Sequence, residues 1–250
     1  MKSFSLSISI LMLMLTACEK TALLRYQSSN DIYFNYQVSS VQRDSMNMQF
    51  AVVKDVADTF SIPVKVLGKA ADVPRSFTLR VNQSLTTAEA GKHYALTPAD
   101  SHFIPAKVID GAFTIILKRP ADLYEKKVDL VLDLLPDENF TTNMKVFDYT
   151  ALRPLKATQW KVTIEDILYE PTNWTFSAAY LGTYSREKLT LMASTQNLTL
   201  NLFYAAPLYS ATQQNNFAIT MQKYLNAQKA LGNTVYERDG TEMVMGASAQ

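Results

Sequence analysis

The chain reads as a mainly β protein: an antiparallel β-sandwich over about residues 28–166, then a small mixed α+β C-terminal unit over 167–250. Three observations predict this. Apolar and polar residues alternate in a series of short segments from Asp31 to Ile164, and period two is the mark of a half-buried strand. Turn formers, namely Gly68, Pro74, Gly91, Asp110-Gly111 and Pro136-Asp137, fall between those segments. After Pro171 the apolar spacing lengthens to that of a helix.

Ile32-Tyr33-Phe34 opens the strand series. Alternating sets follow at Met46, Met48, Phe50 and Val52, at Phe60, Ile62, Val64 and Val66, and at Phe77, Leu79 and Val81. The pattern resumes at Phe113, Ile115 and Leu117, at Val128, Leu130, Leu132 and Leu134, and at Val162 and Ile164. Strands so closely spaced, with no helical period between them, predict an antiparallel sandwich. In the C-terminal unit Ser185 is placed to cap a short helix over 186–194, and Leu198 to Tyr204 is apolar and β-rich. Phe217, Met221, Tyr224, Leu225 and Leu231, with Gly232 as a stop, predict an amphipathic helix of about 17 residues. Asp239-Gly240 lies between two short β-prone runs and predicts a type I′ hairpin. A unit this small is expected to pack on the sandwich rather than fold alone.

The N-terminus runs charge, apolar segment, small residues, cysteine: Met1-Lys2, Phe4 to Leu15, then Thr16-Ala17-Cys18. That order predicts a secretory signal peptide over 1–17, shorter than the roughly 20 residues needed to cross a hydrocarbon core. Leu15-Thr16-Ala17-Cys18 resembles the lipobox of bacterial lipoproteins, which implies diacylglycerol on Cys18 and further acyl chains of the palmitate class. Cys18 is the one cysteine of the chain, and a thiolate is the nucleophile that this alkylation requires. Several chains, each contributing about 0.8 kcal/mol per buried methylene, hold a protein durably on a membrane. Residues 18–27 then form a lipidated tether to the membrane. Glu19 follows the cysteine where proteobacterial inner-membrane retention uses aspartate, so an outer-membrane location is expected, on either face.

Lys2 is the only charged residue of 1–17, so the remaining chain is formally neutral. No electrostatic case exists for nucleic acid as a partner, and no internal disulfide can form. The two histidines, His93 and His102, fall in predicted turns and lack the spacing of a zinc motif. No G-x-S-x-G elbow and no phosphate-cradling glycine loop occurs. Glycoside hydrolysis needs two carboxylates roughly 5–9 Å apart. Glu165-Asp166 are strand neighbours that point to opposite faces, and Glu237 and Asp239 flank a turn. The expectation is a non-enzyme with no cofactor and no metal. The remaining candidates are aromatic: Trp160, Trp174, Tyr180 and Tyr184 are expected at the junction of the two units, followed by Phe203, Tyr204 and Tyr209. Exposed rings there would stack on a sugar or meet a protein partner; buried rings would seal one unit against the other.

Two resemblances extend this reading. Thr86 to Tyr94, Phe103-Ile104-Pro105-Ala106, Phe113 to Leu117 and Lys127 to Leu135 resemble the later half of a Calx-beta, immunoglobulin-like sandwich over about fifty residues. His93 stands where that family has aspartate. Asp100, Asp110, Asp137 and Glu138 supply few of the six to eight oxygens that calcium takes, so calcium is not expected. Across nearly the whole chain, the lipobox, Ile32-Tyr33-Phe34, Trp174, Leu181-Gly182-Thr183-Tyr184-Ser185-x-x-Lys188, Tyr224-Leu225-Asn226 and Asp239-Gly240 resemble an uncharacterised family of Bacteroidota surface lipoproteins, a domain of unknown function. Its members accompany SusC/SusD-type uptake systems. Asp44-Ser45-Met46 also resembles the O-glycosylation acceptor motif of exported Bacteroides proteins, which implies Ser45 as the modified residue. The resemblance implies a non-catalytic, lipid-anchored accessory that binds a glycan or docks on SusC/SusD-like components. An adhesin-like surface protein is the second class and a cryptic hydrolase the third.

Overall fold

The computed structural model describes residues 29–53, 55–147, 154–205 and 208–250. The signal segment, Cys18 and the tether over 18–27 lie outside the described residues. In chain order the strands are β1 (Asp31–Phe34), β2 (Gln37–Val38), β3 (Val41–Gln42), β4 (Ser45–Gln49), β5 (Ala57–Leu67), β6 (Arg75–Ser76) and β7 (Thr78–Val81). They continue as β8 (Tyr94–Leu96), β9 (Phe103–Ile104), β10 (Asp110–Lys118), β11 (Val128–Leu135), β12 (Val146–Phe147), β13 (Leu155–Lys156) and β14 (Gln159–Glu165).

Two four-stranded sheets face each other, β1-β5-β10-β8 and β4-β14-β11-β7. The first is antiparallel throughout, with Ile62 opposite Phe113 and Val64 opposite Gly111. The second is mixed, because its edge strand β4 runs parallel to β14, Met46 opposite Val162 and Met48 opposite Ile164. The alternation explains the layering. Ile62, Val64, Val66, Phe113, Ile115 and Leu117 turn inward from one sheet; Leu130, Leu132, Leu134, Trp160, Val162 and Ile164 turn inward from the other. Pro63 sits inside the central strand β5 without breaking a ladder. Its carbonyl accepts from Asn35 N–H at 2.9 Å, so its missing donor faces β1, whose pairing has already ended at Phe34 and Val64.

Three helices follow: α1 (Ala178–Leu181), α2 (Arg186–Thr195) and α3 (Ala211–Ala230). Ser185 caps α2 as its sequence requires, accepting from Lys188 N–H at 3.0 Å. Asn197, at φ 54, closes the same helix with Leu198 N–H on the Ala193 carbonyl at 2.8 Å. α3 begins earlier than its apolar spacing predicts, at a Ser210/Gln213 capping box, and ends at Gly232 with φ 81. Leu189, Met192, Phe203, Ala218, Met221, Leu225, Met243 and Met245 bury against one another as a second core, to which Ala51, just after β4, also contributes.

Two expectations are corrected. Leu198 to Tyr204 does not form a strand; Leu200–Phe203 is a 3-10 turn that inserts Phe203 into the second core. Apolar residues three apart satisfy that turn as well as they satisfy a strand. The Asp239-Gly240 hairpin is not type I′. Glu237 N–H bonds Thr241 O at 2.8 Å and Gly240 N–H bonds Glu237 O at 3.0 Å, with only Gly240 at positive φ. That is a three-residue loop with a glycine bulge, which asks for one left-handed residue rather than two. A two-residue turn with both φ values positive occurs instead at Ser39-Ser40, between β2 and β3.

A buried carboxylate joins the two cores. Asp166, just past β14, receives Arg119 Nε at 2.8 Å and Nη2 at 2.9 Å from the end of β10, and Arg186 Nη2 at 3.1 Å from α2. Arg186 also bonds the Asp166 backbone carbonyl and lies 3.6 Å over the Tyr124 ring. The tail beyond the hairpin is equally fixed: Met245 N–H bonds Gln222 Oε1 at 2.7 Å, and Gly246 packs so closely on Ala178 and Ala179 that a Cβ would collide with their carbonyls. Among the described residues no helix is long and apolar enough to cross a membrane.

Candidate functional site

The four junction aromatics do not form one patch. Trp160 is fully buried in the sandwich, its ring edge-on to Tyr36 at 5.6 Å. Trp174 is buried in the second core, where its Nε1 donates to the Gly182 carbonyl at 2.9 Å. Neither indole can meet a ligand without opening its layer. Tyr180 is half-buried against the second core, with its carbonyl accepting from Gly246 N–H at 2.6 Å. Tyr184 stands edge-on to Trp174 at 5.2 Å and donates its hydroxyl to the Leu168 carbonyl. The sealing alternative therefore holds for both tryptophans, while Tyr180 and Tyr184 are half-buried and Tyr184 lines open space.

That space is a cleft of about 600 Å³ between the N-terminus of α2 and the C-terminal hairpin. Tyr184, Ser185, Lys188, Glu237, Arg238 and Val244 line it. Ser185 Oγ donates to Glu237 Oε2 at 2.6 Å while accepting the cap bond from Lys188 N–H. Lys188, almost fully buried, donates Nζ to the Thr183 carbonyl at 2.7 Å and faces Glu237 Oε1 at 3.4 Å. These three side chains brace the helix against the hairpin. At the rim Arg238 pairs with Glu125 from the sandwich, and Glu242 with Lys229 at 2.8 Å. The result is a preformed concavity with a polar floor, more polar than the mostly apolar lining of a typical small-molecule site.

Tyr184 is one of two half-buried tyrosines, with Tyr204, whose hydroxyl pKa values are shifted. Burial raises the Tyr184 hydroxyl to about 12, and burial together with the neighbouring Tyr184 pushes Tyr204, whose hydroxyl donates to the Tyr169 carbonyl at 2.7 Å, still further up. A phenol raised above its unfolded value of about 10 stabilises the fold fully below that pH and loses the contribution as pH climbs through its folded value. Absorbance at 295 nm should therefore show two tyrosines that ionise only together with unfolding, above pH 11; ionisation of every tyrosine in a folded protein near pH 10 would contradict this.

A second groove, of about 440 Å³, crosses the outer face of the sheet containing β4 and holds Ser45. Its Asp129 is already engaged on the protein, taking Lys161 at 2.8 Å and Thr163 at 2.7 Å. Ser45 is half-buried on the edge strand with its hydroxyl on Asp44 at 3.3 Å.

His93 lies in a turn and His102 directly follows the 3-10 turn Ala99–Ser101, and both side chains are buried. His102 stacks on Phe77 at 5.7 Å and meets Phe113 edge-on, and burial lowers its pKa. His93 is fully buried beside Glu89 and Asp122, and among the described residues these three form a group spaced closely enough for a cation. Its bonding pattern reads differently. His93 Nδ1 accepts Glu89 N–H at 2.8 Å, which leaves the proton on Nε2, facing Asp122 at 3.2 Å. The same carboxylate takes Lys92 at 2.6 Å and Lys126 at 3.2 Å, and these partners, Lys92 foremost, hold its pKa far below the usual range. Positive charge is thus supplied by lysines, and the imidazole nitrogen that would bind a metal is a donor.

Of the residues that line the cleft, the sequence singled out Tyr184, Ser185 as a cap, Lys188 within the family motif, and Glu237 and Asp239 as turn carboxylates, but did not bring them together. Ser185 and Glu237 are 52 positions apart, and no motif connects them. The Glu165-Asp166 pair is committed elsewhere, Glu165 to Asn47 at 2.7 Å and Tyr169 at 2.8 Å, and Asp166 to its two arginines.

Sandwich, helical cap and distal cleft define a mainly β protein without a recognisable catalytic constellation among the described residues. The chain belongs to the DUF4843 family, a domain of unknown function, whose model matches residues 26–197. Two solved structures of unknown function from Bacteroides ovatus are similar to it. One is 16% identical, covering 55% of this chain and 46% of its own, with a TM-score of 0.35. The other is 17% identical, covering 53% and 43%, with the same TM-score of 0.35. The N-terminal domain of PorA matches 54% of this chain and 97% of its own at 6% identity and a TM-score of 0.28. The chain thus spans less than half the length of the two Bacteroides structures. No curated protein matches.

Proposed function

We propose that the chain is a non-catalytic, lipid-anchored outer-membrane accessory whose C-terminal unit receives a ligand or partner, in the company of a SusC/SusD-type glycan or nutrient uptake system. The observation that carries this is the placement of entry point and cleft. The described chain enters the sandwich where Asp31 pairs with Leu67, at the end from which β10 departs. The helical unit docks at the other end, where Arg119 follows β10. Nine residues of β10, at about 3.3 Å each, put roughly 30 Å between them. An anchor on Cys18 would attach at the end of the sandwich opposite the cleft, leaving the cleft free to meet a soluble glycan or a neighbouring protein.

Two measurements test the reading. Cys18→Ser should abolish incorporation of labelled acyl chains and leave the protein soluble; normal labelling would refute the anchor. Val244 lines the cleft and is exposed, so Val244→Arg should fill it without disturbing either core. Co-purification of transport components, or a glycan-dependent rise in melting temperature, should appear with the parent protein and be lost in V244R. If neither appears with the parent protein, the accessory reading fails.

A further inference from the structure

The end of the sandwich where the chain enters carries exposed apolar side chains that the fold does not use. Leu67 is 46% exposed, Val73 64%, Phe103 41% and Val108 42%. They sit on three segments tied together at this end. Lys107 N–H bonds the Ala71 carbonyl at 2.6 Å, and Arg75 and Ser76 pair with Ile104 and Phe103. Buried Arg75 braces the loop from beneath, its guanidinium 4.7 Å over the Phe140 ring and Nη2 on the Lys69 carbonyl at 3.3 Å. The entering chain lies against the same loop: Gly68 has no room for a Cβ because Asn30 occupies that space. Lys69 and Lys107 are exposed beside the apolar residues, as are Asp72 and Glu138.

We infer that this end of the sandwich rests on the lipid surface that carries the anchor, making a second, non-covalent membrane contact through Leu67, Val73, Phe103 and Val108. The inference rests on acylation of Cys18. The chain outside the described residues argues for lipid as the occupant. Cys18 lies twelve residues ahead of Asn30, so even fully extended the lipidated residue stays within about 40 Å of this end. The membrane is therefore present at high effective concentration where the apolar side chains are exposed. Contact would withdraw these side chains from water, while the stems of Lys69 and Lys107 reach headgroup phosphates. It would also fix the orientation of the sandwich, with the cleft pointing outward.

The test uses the full lipidated chain in phosphatidylethanolamine/phosphatidylglycerol vesicles containing lipids with a quencher near the headgroup. Phe103→Trp places a reporter at this end, and Phe176→Trp, at a position 82% exposed in the C-terminal unit, places one far from it. Native Trp160 and Trp174 are buried and give a constant background. The F103W emission should shift to the blue and be quenched about twofold more than that of F176W, since interfacial contact buries side chains only about 5–10 Å deep. Adding Val73→Glu and Val108→Glu should remove the difference while acylation persists. Equal quenching at the two positions in acylated protein overturns the inference, as does shielding of F103W by a protein partner instead of lipid. Absence of acyl label refutes the anchor itself, a separate failure.

Discussion

Asp166→Ala is expected to cost about 3–5 kcal/mol of stability, because it leaves the guanidinium groups of Arg119 and Arg186 largely buried without their shared carboxylate. The loss should also be visible as uncoupling. Trp160 reports on the sandwich core and Trp174 on the second core, so proteins keeping one tryptophan each follow the two cores separately in urea. With Asp166 present each single-tryptophan protein should unfold in one step, its fluorescence change coinciding with its far-UV circular dichroism. In Asp166→Ala the Trp174 fluorescence should change at lower urea than the circular dichroism of the sheets in the same protein, the sign that a single cooperative unit has become two. A shift below about 1 kcal/mol, the size of an exposed ion pair, would show that this joint does not hold the units together. Asp166→Asn keeps the shape without the charge and should fall between.

The tryptophans themselves give the second large effect. Replacing either with alanine removes a fully enclosed ring and should cost about 3–5 kcal/mol. Phenylalanine separates them. Trp160 Nε1 is buried with no hydrogen-bond partner among the described residues, so Trp160→Phe gives up packing but relieves an unmet donor. Trp174 Nε1 serves the Gly182 carbonyl, and Trp174→Phe leaves that acceptor unpaired. Trp174→Phe should therefore be the more destabilising by about 1–3 kcal/mol in urea denaturation. The reverse order would contradict the assigned bonding.

Much of the fold was legible because it depends on local periodicity. The strand patterns at 60–66, 113–117, 128–134 and 162–164 lie inside observed strands, and Ser185 and Gly232 bound helices where capping chemistry places them. The same logic, applied fully, locates Trp160: it shares parity with Val162 and Ile164 and must face the core with them. Its nearness in sequence to Trp174 carried no such directional information. The start of α3 was likewise written in Ser210-x-x-Gln213, although Gln213 to Asn216 show no apolar period. The Asp239-Gly240 pair fits two loop types, and hydrogen bonding across the hairpin selects between them. The cleft was not legible. It arises from tertiary contacts, Ser185 to Glu237 and Arg238 to Glu125, whose partners no local pattern joins.

The parallel edge of the second sheet has a consequence in time. β4 leaves the N-terminal region early, yet it pairs only with β14; the Asn47–Glu165 bond alone spans 118 positions. Closing so long a loop before any contact rewards it slows folding, and topologies dominated by such pairings fold in milliseconds to seconds rather than microseconds. A chain emerging from its N-terminus cannot complete this sheet until residue 165 has appeared. In the interval the segment from Ser45 to Phe50, with Met46, Met48 and Phe50 uncovered, is a sticky stretch without its neighbour. The last step of the fold is thus a return to nearly its first strand, and hydrogen exchange during refolding should find the β4 amides among the latest to gain protection.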